Sequence, residues 1–207
     1  MAPAPAAQPV LVVLVGPPAS GKSTLARLLA ARLPAVLVQS DAVRKALVAQ
    51  PTYTPAEHRR VFGEAHRQIV RLLRAGQNVV FDATNLAEAH RRVLYRIAAA
   101  CGARLLIARL AVPEAVARTR LTRRQTARDP GDLSDADWAV YQRMAARREP
   151  IAPPHWVLNA AAAPEALADL LVRAAARAGP APPLQRRPAA ETLQSQREGT
   201  THVQAGC

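Results

Sequence analysis

The sequence predicts a three-layer α/β fold, in which a mostly parallel five-stranded sheet is covered by helices on both faces. Short apolar segments of strand length alternate along the chain with longer segments of helical periodicity. The strand segments are apolar throughout, which is typical of parallel strands that are buried on both faces. Half of the 207 residues are hydrophobic, so the chain can bury a substantial core.

Each element has its own local signal. The five predicted strands are residues 10–15, 35–39, 78–82, 103–111 and 155–160. The predicted helices are 22–33, a segment from near Asp41, 55–75, 87–100, 113–127, a segment capped by Ser134-x-x-Asp137, and 164–178.

The third helix has the clearest boundaries. Thr54 is the predicted N-cap, Pro55 the first helical residue, and Glu57 completes a capping box. Gly76 follows the last apolar turn and predicts the C-terminal stop.

Composition divides the chain into three parts. Residues 1–9 are rich in Ala and Pro and are predicted to be a flexible lead. Residues 10–178 are predicted to form one folded domain. Residues 179–207 are rich in Pro, Gln and Arg without apolar periodicity, so we expect a disordered tail.

The cysteines and the N-terminal segment indicate the compartment. Cys101 and Cys207 are too few and too far apart for a disulfide framework or a metal site, which favours a reducing environment. The N-terminal segment has no basic region before its short apolar run, and no apolar run reaches the about 20 residues that cross a bilayer. We therefore expect a soluble cytoplasmic protein without membrane contact.

The chain is strongly basic, with a formal net charge of +13. Such a charge is compatible with nucleic-acid binding. Only Lys22 and Lys45 are lysines among the 28 basic residues, however, and Ala and Pro are also abundant, as expected from a GC-rich coding sequence. Nucleic acid is therefore a possible partner that the charge alone does not favour.

The stretch GPPASGKS, residues 16–23, matches the Walker A pattern of a phosphate-binding P-loop, and it follows a predicted strand and opens a predicted helix. Backbone N–H groups at such a turn point at one anion. Because Pro17 and Pro18 have no N–H, the donors would come from residues 19–24. The predicted nucleotide-binding residues are Gly16, Ala19, Ser20, Gly21, Lys22, Ser23 and Thr24. Lys22 would reach the β- and γ-phosphates, and the Ser23 hydroxyl would bind Mg²⁺.

The segment SDAVR follows the second predicted strand, at the sheet edge where ligands of parallel sheets bind. Asp41 could accept the proton of an attacking hydroxyl, and Arg44, one turn later, could hold the substrate. Alternatively, Ser40 or Asp41 is only the N-cap of the next helix.

The segment FDATN spans the end of the third predicted strand, whose last residue is Asp82. Asp82 is similar to a Walker B carboxylate and could hold Mg²⁺ through water. Thr84 and Asn85 could line the substrate cleft or cap the next helix.

Three arginines recur at helical spacing in the segment 113–127 and just beyond it. Arg120, Arg124 and Arg128 would share one face, and like charges at that spacing repel unless an anion lies between them. A lid that carries arginines would exclude water and neutralise transferring phosphate. Alternatively, the face is only a solvated product of the Arg-rich composition.

The order and spacing of GPPASGKST, SDAVR, FDATN and RLTRR resemble the P-loop kinases related to polynucleotide kinase and zeta toxin, a group that includes bacterial "AAA family ATPase" proteins. The resemblance covers residues 10–175 and implies a kinase-type P-loop NTPase with a lid at about 113–148. It also implies ATP and Mg²⁺ as cofactors, Asp41 as base, Arg44 as substrate contact, and Arg120 and Arg124 as lid arginines. The family loop often has Gly at the position of Ala19.

The sequence leaves the phosphoryl acceptor open. A kinase of a hydroxyl on a small molecule or nucleotide is the leading hypothesis, since Lys22, Asp41 and the arginine lid occur together. A 5′-hydroxyl polynucleotide kinase would use the same residues, although no phosphatase or ligase module accompanies them. A regulatory ATPase with little transfer would bind ATP without an acceptor.

Overall fold

A computed structural model of the chain describes residues 8–127, 136–152 and 154–177. Its five strands are β1 (Val10–Val15), β2 (Ala35–Gln39), β3 (Asn78–Asp82), β4 (Arg104–Ala111) and β5 (Trp156–Asn159). Its helices are α1 (Lys22–Arg32), α2 (Ser40–Leu47), α3 (Pro55–Arg74), α4 (Glu88–Ala100), α5 (Glu114–Ala127), α6 (Trp138–Ala146) and α7 (Pro164–Arg177). The predicted N-terminal lead, except its last two residues, and the predicted tail lie outside the described ranges.

The five strands form one sheet in the order β2-β3-β1-β4-β5, and all of its neighbouring strands are parallel. β1 lies at the centre, where Val12 is opposite Val80 of β3 and Leu106 of β4. All six residues of β1 are buried, as expected for a strand covered on both faces. The parallel arrangement brings the carboxyl ends of β1, β2 and β3 to one edge of the sheet.

The two faces of the sheet pack into separate apolar cores. On one face, Val13 and Phe81 pack with Ile69 of α3. On the other face, Val12 packs with Leu29 of α1 and Leu171 of α7. The predicted three-layer fold is therefore confirmed, and the unbroken apolar character of β1 follows from the two cores that it serves.

The element boundaries match the predictions closely, with one correction in the lid. The predicted Ser134-x-x-Asp137 cap places Asp137 inside the helix, but α6 begins at Trp138. Asp137 is itself the N-cap, and its Oδ1 accepts a 2.8 Å hydrogen bond from Val140 N. Ser134 lies outside the described residues.

The capping box of α3 is only half confirmed. Thr54 is the N-cap, and its Oγ1 accepts a 3.3 Å hydrogen bond from Glu57 N. The Glu57 carboxylate reaches further back than a capping box requires and accepts from Thr52 N at 2.7 Å and Tyr53 N at 3.2 Å. Through these two hydrogen bonds, Glu57 fixes the main chain of residues 52–53, just before α3.

Within the described ranges, none of the helices combines the length and the apolar character that a membrane crossing requires.

Arg91 of α4 is a completely buried cation that holds neighbouring main chain in place. Its Nη1 donates to Asn85 O at 2.9 Å and to Leu86 O at 2.6 Å, while Nη2 donates to Pro150 O. Glu88 balances its charge at 3.0 Å. The Arg91 side chain therefore joins two segments of main chain, the one that follows β3 and the one that precedes β5.

Replacing Arg91 should destabilise the fold strongly. Arg91→Met removes the donors of several buried carbonyls, so we expect the free energy of unfolding to fall by about 3 kcal/mol or more. Arg92→Met is the matched control, because Arg92 also pairs with Glu88 but its side chain is 42% exposed. That control should change stability by less than about 1 kcal/mol. Denaturant unfolding of both variants measures the difference, and equal losses would contradict the role given to Arg91.

Candidate functional site

The loop between β1 and α1 leaves a helix N-terminus open to a ligand. Gly21 is the N-cap of α1, has a φ of 88°, and provides no side chain to satisfy the first N–H groups of the helix. Ala19 is also left-handed, with a φ of 58°. The Gly16 N–H donates to Thr84 O at 3.1 Å, which fixes the start of the loop against the segment after β3. The geometry suits a phosphate group.

Gly16 is required by close packing rather than by its backbone angle. A Cβ atom at Gly16 would lie 2.6 Å from Ser20 Oγ and 3.3 Å from Leu110 O. Ser20 is completely buried, so it has little room to move away. A side chain at position 16 would therefore displace the loop.

Gly16→Ala should consequently destabilise the protein, by about 1–3 kcal/mol in the free energy of unfolding. Gly63→Ala is the matched control, because a Cβ atom at Gly63, inside α3, would meet nothing within 4 Å. That change should instead stabilise the helix by about 0.5–1 kcal/mol. Thermal or denaturant unfolding distinguishes the two, and a neutral Gly16→Ala would contradict the packing described here.

The Lys22 side chain folds back against the phosphate loop, and only 8% of the residue is exposed. Its Nζ donates to Pro17 O at 2.8 Å and contacts Ser20 Oγ at 3.5 Å. Burial lowers the pKa of Lys22, while the negative charges of Asp82 and Asp41 partly oppose that shift. A bound phosphate would act in the same direction as these carboxylates and favour the ammonium form.

A cavity of about 590 Å³ lies at this sheet edge, between the loop, the ends of β2 and β3, and α5. Most of the predicted site residues line it: Ala19, Ser20, Gly21, Lys22, Ser23, Thr24, Asp41, Asp82, Thr84, Arg120 and Arg124. Three predicted site residues are not among its lining residues: Gly16, Arg44 and Asn85. The sequence motifs therefore converge on one concave site, as expected for the carboxyl edge of a parallel sheet.

Asp82 ends β3 and is buried, with 5% of the residue exposed. Its Oδ2 accepts a 3.1 Å hydrogen bond from Gln39 Nε2, the residue opposite it in β2. Gln39 also lines the cavity and was missed by sequence reasoning; its position as the last residue of a strand was the available signal. The pair fixes the orientation of the Asp82 carboxylate toward the site.

The residues around Asp82 fit a magnesium ion that is shared with phosphates. The Ser23 hydroxyl and the Asp82 carboxylate line the same cavity. Among the residues that the structure describes, no group of three or more His, Cys, Asp or Glu side chains could hold a metal by itself. Mg²⁺ commonly takes one or two protein ligands and completes its shell with water and substrate phosphate, so this sparse oxygen set suits it.

Asp41 lies in the first turn of α2 and lines the cavity. The alternative interpretation, that Ser40 or Asp41 is the N-cap, is wrong, because the N-cap of α2 is Gln39. Asp41 therefore lies just after the end of β2, and its charge acts on Lys22 of the phosphate loop.

Arg44 does not contact the cavity, contrary to its predicted role as a substrate contact. It is 5% exposed, its Nη1 forms an ion pair with Glu57, and its guanidinium lies 4.8 Å from the centre of the Tyr53 ring. The hydrogen bond from the Thr52 backbone, with smaller contributions that include Arg44, lowers the pKa of Glu57 to about 2. The one-turn spacing from Asp41 predicted a substrate contact for Arg44. Its guanidinium instead forms an ion pair with Glu57.

Asn85 is also placed differently from the prediction. It is completely buried with a φ of 49°, and its Nδ2 donates to Leu14 O at 2.9 Å. It does not cap α4 either, because the N-cap of that helix is Ala87. Asn85 instead fastens the segment after β3 to the end of β1, while Thr84 lines the cavity as predicted.

The lid helix α5 docks directly on the phosphate loop. Arg120 donates to Ala19 O at 3.3 Å and to Ala160 O at 2.8 Å. The Ala19 methyl group, the departure from the usual glycine, joins a small apolar cluster with Leu121 and Tyr141 of the lid. The structure therefore gives Arg120 a main-chain contact that the helical spacing did not predict.

Two further arginines of the lid, Arg123 and Arg124, line the cavity. Arg124 lines it as predicted, and Arg128 lies outside the described residues. Arg123 also lines the cavity and was missed, although the paired arginines of the RLTRR motif were the signal. At least two lid arginines thus face the ligand side.

Comparisons with known proteins agree with this geometry. The AAA_33 family model, described as an AAA domain, matches residues 11–151. No curated protein matches the chain significantly.

Solved structures with the same fold are numerous and distant in sequence. The APS kinase CysC of Mycobacterium tuberculosis, solved with AMPPNP and APS, has a TM-score of 0.62 at 18% identity and covers 80% of this chain and 96% of its own. A gluconokinase from Sinorhizobium meliloti 1021 has a TM-score of 0.60 at 20% identity, covering 82% and 95%. Chaetomium thermophilum Kti12, solved with ADP-AlF3, has a TM-score of 0.62 at 21% identity, covering 80% and 98%. At these identities the likeness shows the fold.

Proposed function

Because the chain belongs to the AAA_33 family of AAA domains and has the fold of the P-loop kinases, we propose that it is an ATP-dependent kinase that transfers the γ-phosphoryl group to a hydroxyl of a small molecule or nucleotide. One observation carries this proposal. A single cavity brings together the phosphate loop with Lys22, the oxygen ligands Ser23 and Asp82, and the carboxylate of Asp41.

The phosphate loop would bind the triphosphate. Gly21 leaves the first N–H groups of α1 without a side-chain partner, and a helix N-terminus favours negative charge. The N–H of Ser20 is already used, because it donates to Pro17 O at 3.4 Å. Lys22 is already held at the loop by Pro17 O, so little reorganisation is needed to place its ammonium group beside a phosphate. Gly16 serves this subsite indirectly, by letting Ser20 pack beneath the loop.

Ser23 and Asp82 would hold Mg²⁺ together with the phosphates. When bound, the ion neutralises charge on the β- and γ-phosphoryl oxygens. The hydrogen bond from Gln39 keeps the Asp82 carboxylate in position for this task.

Asp41 would act as the general base. The acceptor oxygen forms a bond to the γ-phosphorus while the bond from that phosphorus to the β–γ bridging oxygen breaks, and ADP leaves with the electron pair. The proton of the acceptor hydroxyl passes to the Asp41 carboxylate and from there to water. Asp41 suits this role because its carboxylate lines the same cavity as the phosphate loop and acts electrostatically on Lys22.

The lid would exclude water and stabilise the transferring group. Arg124 lines the cavity and could neutralise the negative charge that spreads over the phosphoryl oxygens. Arg120 contributes differently from the predicted phosphate contact, because its two Nη atoms donate to main-chain carbonyls of the loop and of the segment after β5. Its role is therefore to hold the lid against the phosphate loop.

The structural neighbours support the nucleotide part of this proposal more than the acceptor part. The APS kinase neighbour was solved with AMPPNP and APS, and the Kti12 neighbour with ADP-AlF3. The gluconokinase and the APS kinase differ in their substrates, so the fold itself is compatible with several acceptors.

A 5′-hydroxyl polynucleotide kinase is the second candidate; the formal net charge of +13 is compatible with it, and Arg123, an exposed lid residue, lines the cavity. It would bind oligonucleotides with an affinity that falls steeply as salt rises. Absence of such binding at low salt would exclude it.

A transfer assay tests the proposal. The protein is incubated with γ-labelled ATP, Mg²⁺ and a panel of alcohols that includes sugars, nucleosides, aminoglycosides, nucleotide sugars and a 5′-hydroxyl oligonucleotide. We expect label on at least one acceptor, and its loss in Lys22→Ala. Tight ATP binding without transfer to any acceptor would instead support a regulatory nucleotide-binding protein.

A further inference from the structure

We infer that Ala19 is a positioning residue, whose methyl group holds the lid helices α5 and α6 against the phosphate loop and thereby directs the γ-phosphoryl group to the alcohol instead of to water. This role deepens the kinase reaction proposed above and rests on it. Ala19 acts through the lid, and its side chain takes no part in the bonds that form or break.

Ala19 holds a backbone conformation that a residue with a side chain rarely adopts. Its φ of 58° lies in the left-handed region, where the Cβ atom of an L-residue is crowded. Glycine would adopt the same conformation without that cost. A residue held in this way persists when the surrounding contacts compensate for it.

The compensating contacts come from the lid. Ala19 is 7% exposed and belongs to an apolar cluster with Ala117 and Leu121 of α5 and Tyr141 of α6. Among the described buried members of this cluster, Ala19 is the only one that lies outside the lid. The cluster is separate from the two cores that cover the sheet, so its link to the phosphate loop depends on this one methyl group.

A polar contact joins the lid to the same residue. Arg120 Nη1 donates to the carbonyl oxygen of Ala19 at 3.3 Å, while Nη2 donates to Ala160 O at 2.8 Å. Because the bond to Ala19 uses main chain only, it remains available when Ala19 is replaced by glycine. The contribution of the methyl group can therefore be separated from that of the hydrogen bond.

Contacts of an aromatic pair join the two lid helices to each other. The Trp138 and Tyr141 rings of α6 stack with their centroids 4.9 Å apart, and the guanidinium of Arg118, from α5, lies 5.5 Å from the centre of the Trp138 ring. A contact that holds one helix therefore also holds the other. Through α5, Ala19 positions Arg124, which lines the cavity.

The consequence for the reaction is a choice between two acceptors. With the lid held in place, the alcohol oxygen forms a bond to the γ-phosphorus, the bond to the β–γ bridging oxygen breaks, and ADP leaves with the electron pair. With the lid loosened, a water oxygen forms that bond instead, its proton passes to solvent, and the products are ADP and inorganic phosphate. The ratio of inorganic phosphate to phosphomonoester therefore measures how firmly the lid is held.

Ala19→Gly tests the role by removing one methyl group. The γ-phosphate of ATP is followed with an acceptor that the wild type phosphorylates, and both inorganic phosphate and phosphomonoester are quantified. We expect the ratio of inorganic phosphate to phosphomonoester to rise by about three- to tenfold over the wild type. Because glycine readily accepts a φ of 58°, the variant should fold, which circular dichroism checks.

Tyr141→Ala removes a lid member of the same cluster. It should also raise the ratio, and the double variant Ala19→Gly, Tyr141→Ala should exceed the larger single effect only slightly, because both changes act on one cluster. Ala99→Gly is the matched control, since it removes a methyl group from an exposed position of α4 and should leave the ratio unchanged. An unchanged ratio in folded Ala19→Gly, or an equal rise in Ala99→Gly, would overturn the role given to Ala19.

The failure of this role and the failure of the kinase function give different results. Transfer to an alcohol by the wild type, with the same product ratio in Ala19→Gly, would remove Ala19 from the role and leave the kinase function intact. Absence of phosphomonoester from the wild type with every acceptor would contradict both.

Discussion

Asp41→Asn is expected to reduce phosphoryl transfer by about 10²–10⁴-fold, the range that general-base catalysis usually contributes. The amide keeps the size and polarity of the side chain at the start of α2 but cannot take the acceptor proton. ATP affinity should remain nearly unchanged, because Asp41 belongs to α2 and is neither part of the phosphate loop nor one of the residues proposed to hold Mg²⁺. Single-turnover transfer and nucleotide binding are the two measurements.

Near-normal transfer by Asp41→Asn would remove Asp41 from the base role. A matched acidic control is available in Asp169, an exposed residue of α7 that pairs with Arg32. Asp169→Asn should leave transfer unchanged, so a similar loss in both variants would indicate a general effect of charge rather than a base.

Lys22→Ala should weaken ATP binding and reduce transfer together, with a loss of transfer of about 10²–10³-fold. The side chain is buried against the loop that binds the phosphates, so no other described residue of the loop can replace its charge. Lys45 provides the matched control, because it is the other lysine of the chain and is exposed on α2. Lys45→Ala should behave as the wild type in both ATP binding and transfer.

The lowered pKa of Lys22 adds a pH dependence to this result. A lysine whose pKa is depressed by burial loses its proton at lower pH than an exposed lysine does. ATP affinity of the wild type should therefore decrease as the pH rises into the alkaline range, whereas the residual affinity of Lys22→Ala should lack that component. Identical alkaline profiles of the two proteins would contradict the proposed contact with phosphate.

Much of the fold could be predicted because its signals are local. The apolar strands 10–15 and 78–82 and the Pro55 helix start are each determined by a few neighbouring residues. The strand order β2-β3-β1-β4-β5 could not be predicted in the same way. Periodicity indicates which faces are buried, but it does not indicate which strands lie beside each other.

The site shows the same division between local and long-range information. Asp82 was predicted from its place at the end of a strand and Asp41 from its place just after one, since parallel strands bring their carboxyl ends to one edge. Arg44 and Asn85 were misplaced because their partners, Glu57 and Leu14 O, lie 13 and 71 residues away in the sequence. Helical spacing likewise predicted the face of Arg120 but not the main-chain carbonyls that it contacts.

The most direct test of the kinase function is the fate of the γ-phosphate, followed by ³¹P NMR in the presence of ATP, Mg²⁺ and the acceptor panel. We expect the γ-phosphate resonance of ATP to be replaced by a phosphomonoester resonance, in equal amount to the ADP formed and absent with Lys22→Ala. Conversion of ATP to ADP and inorganic phosphate alone, or no conversion with any acceptor, would contradict phosphoryl transfer to an alcohol as the function of this site.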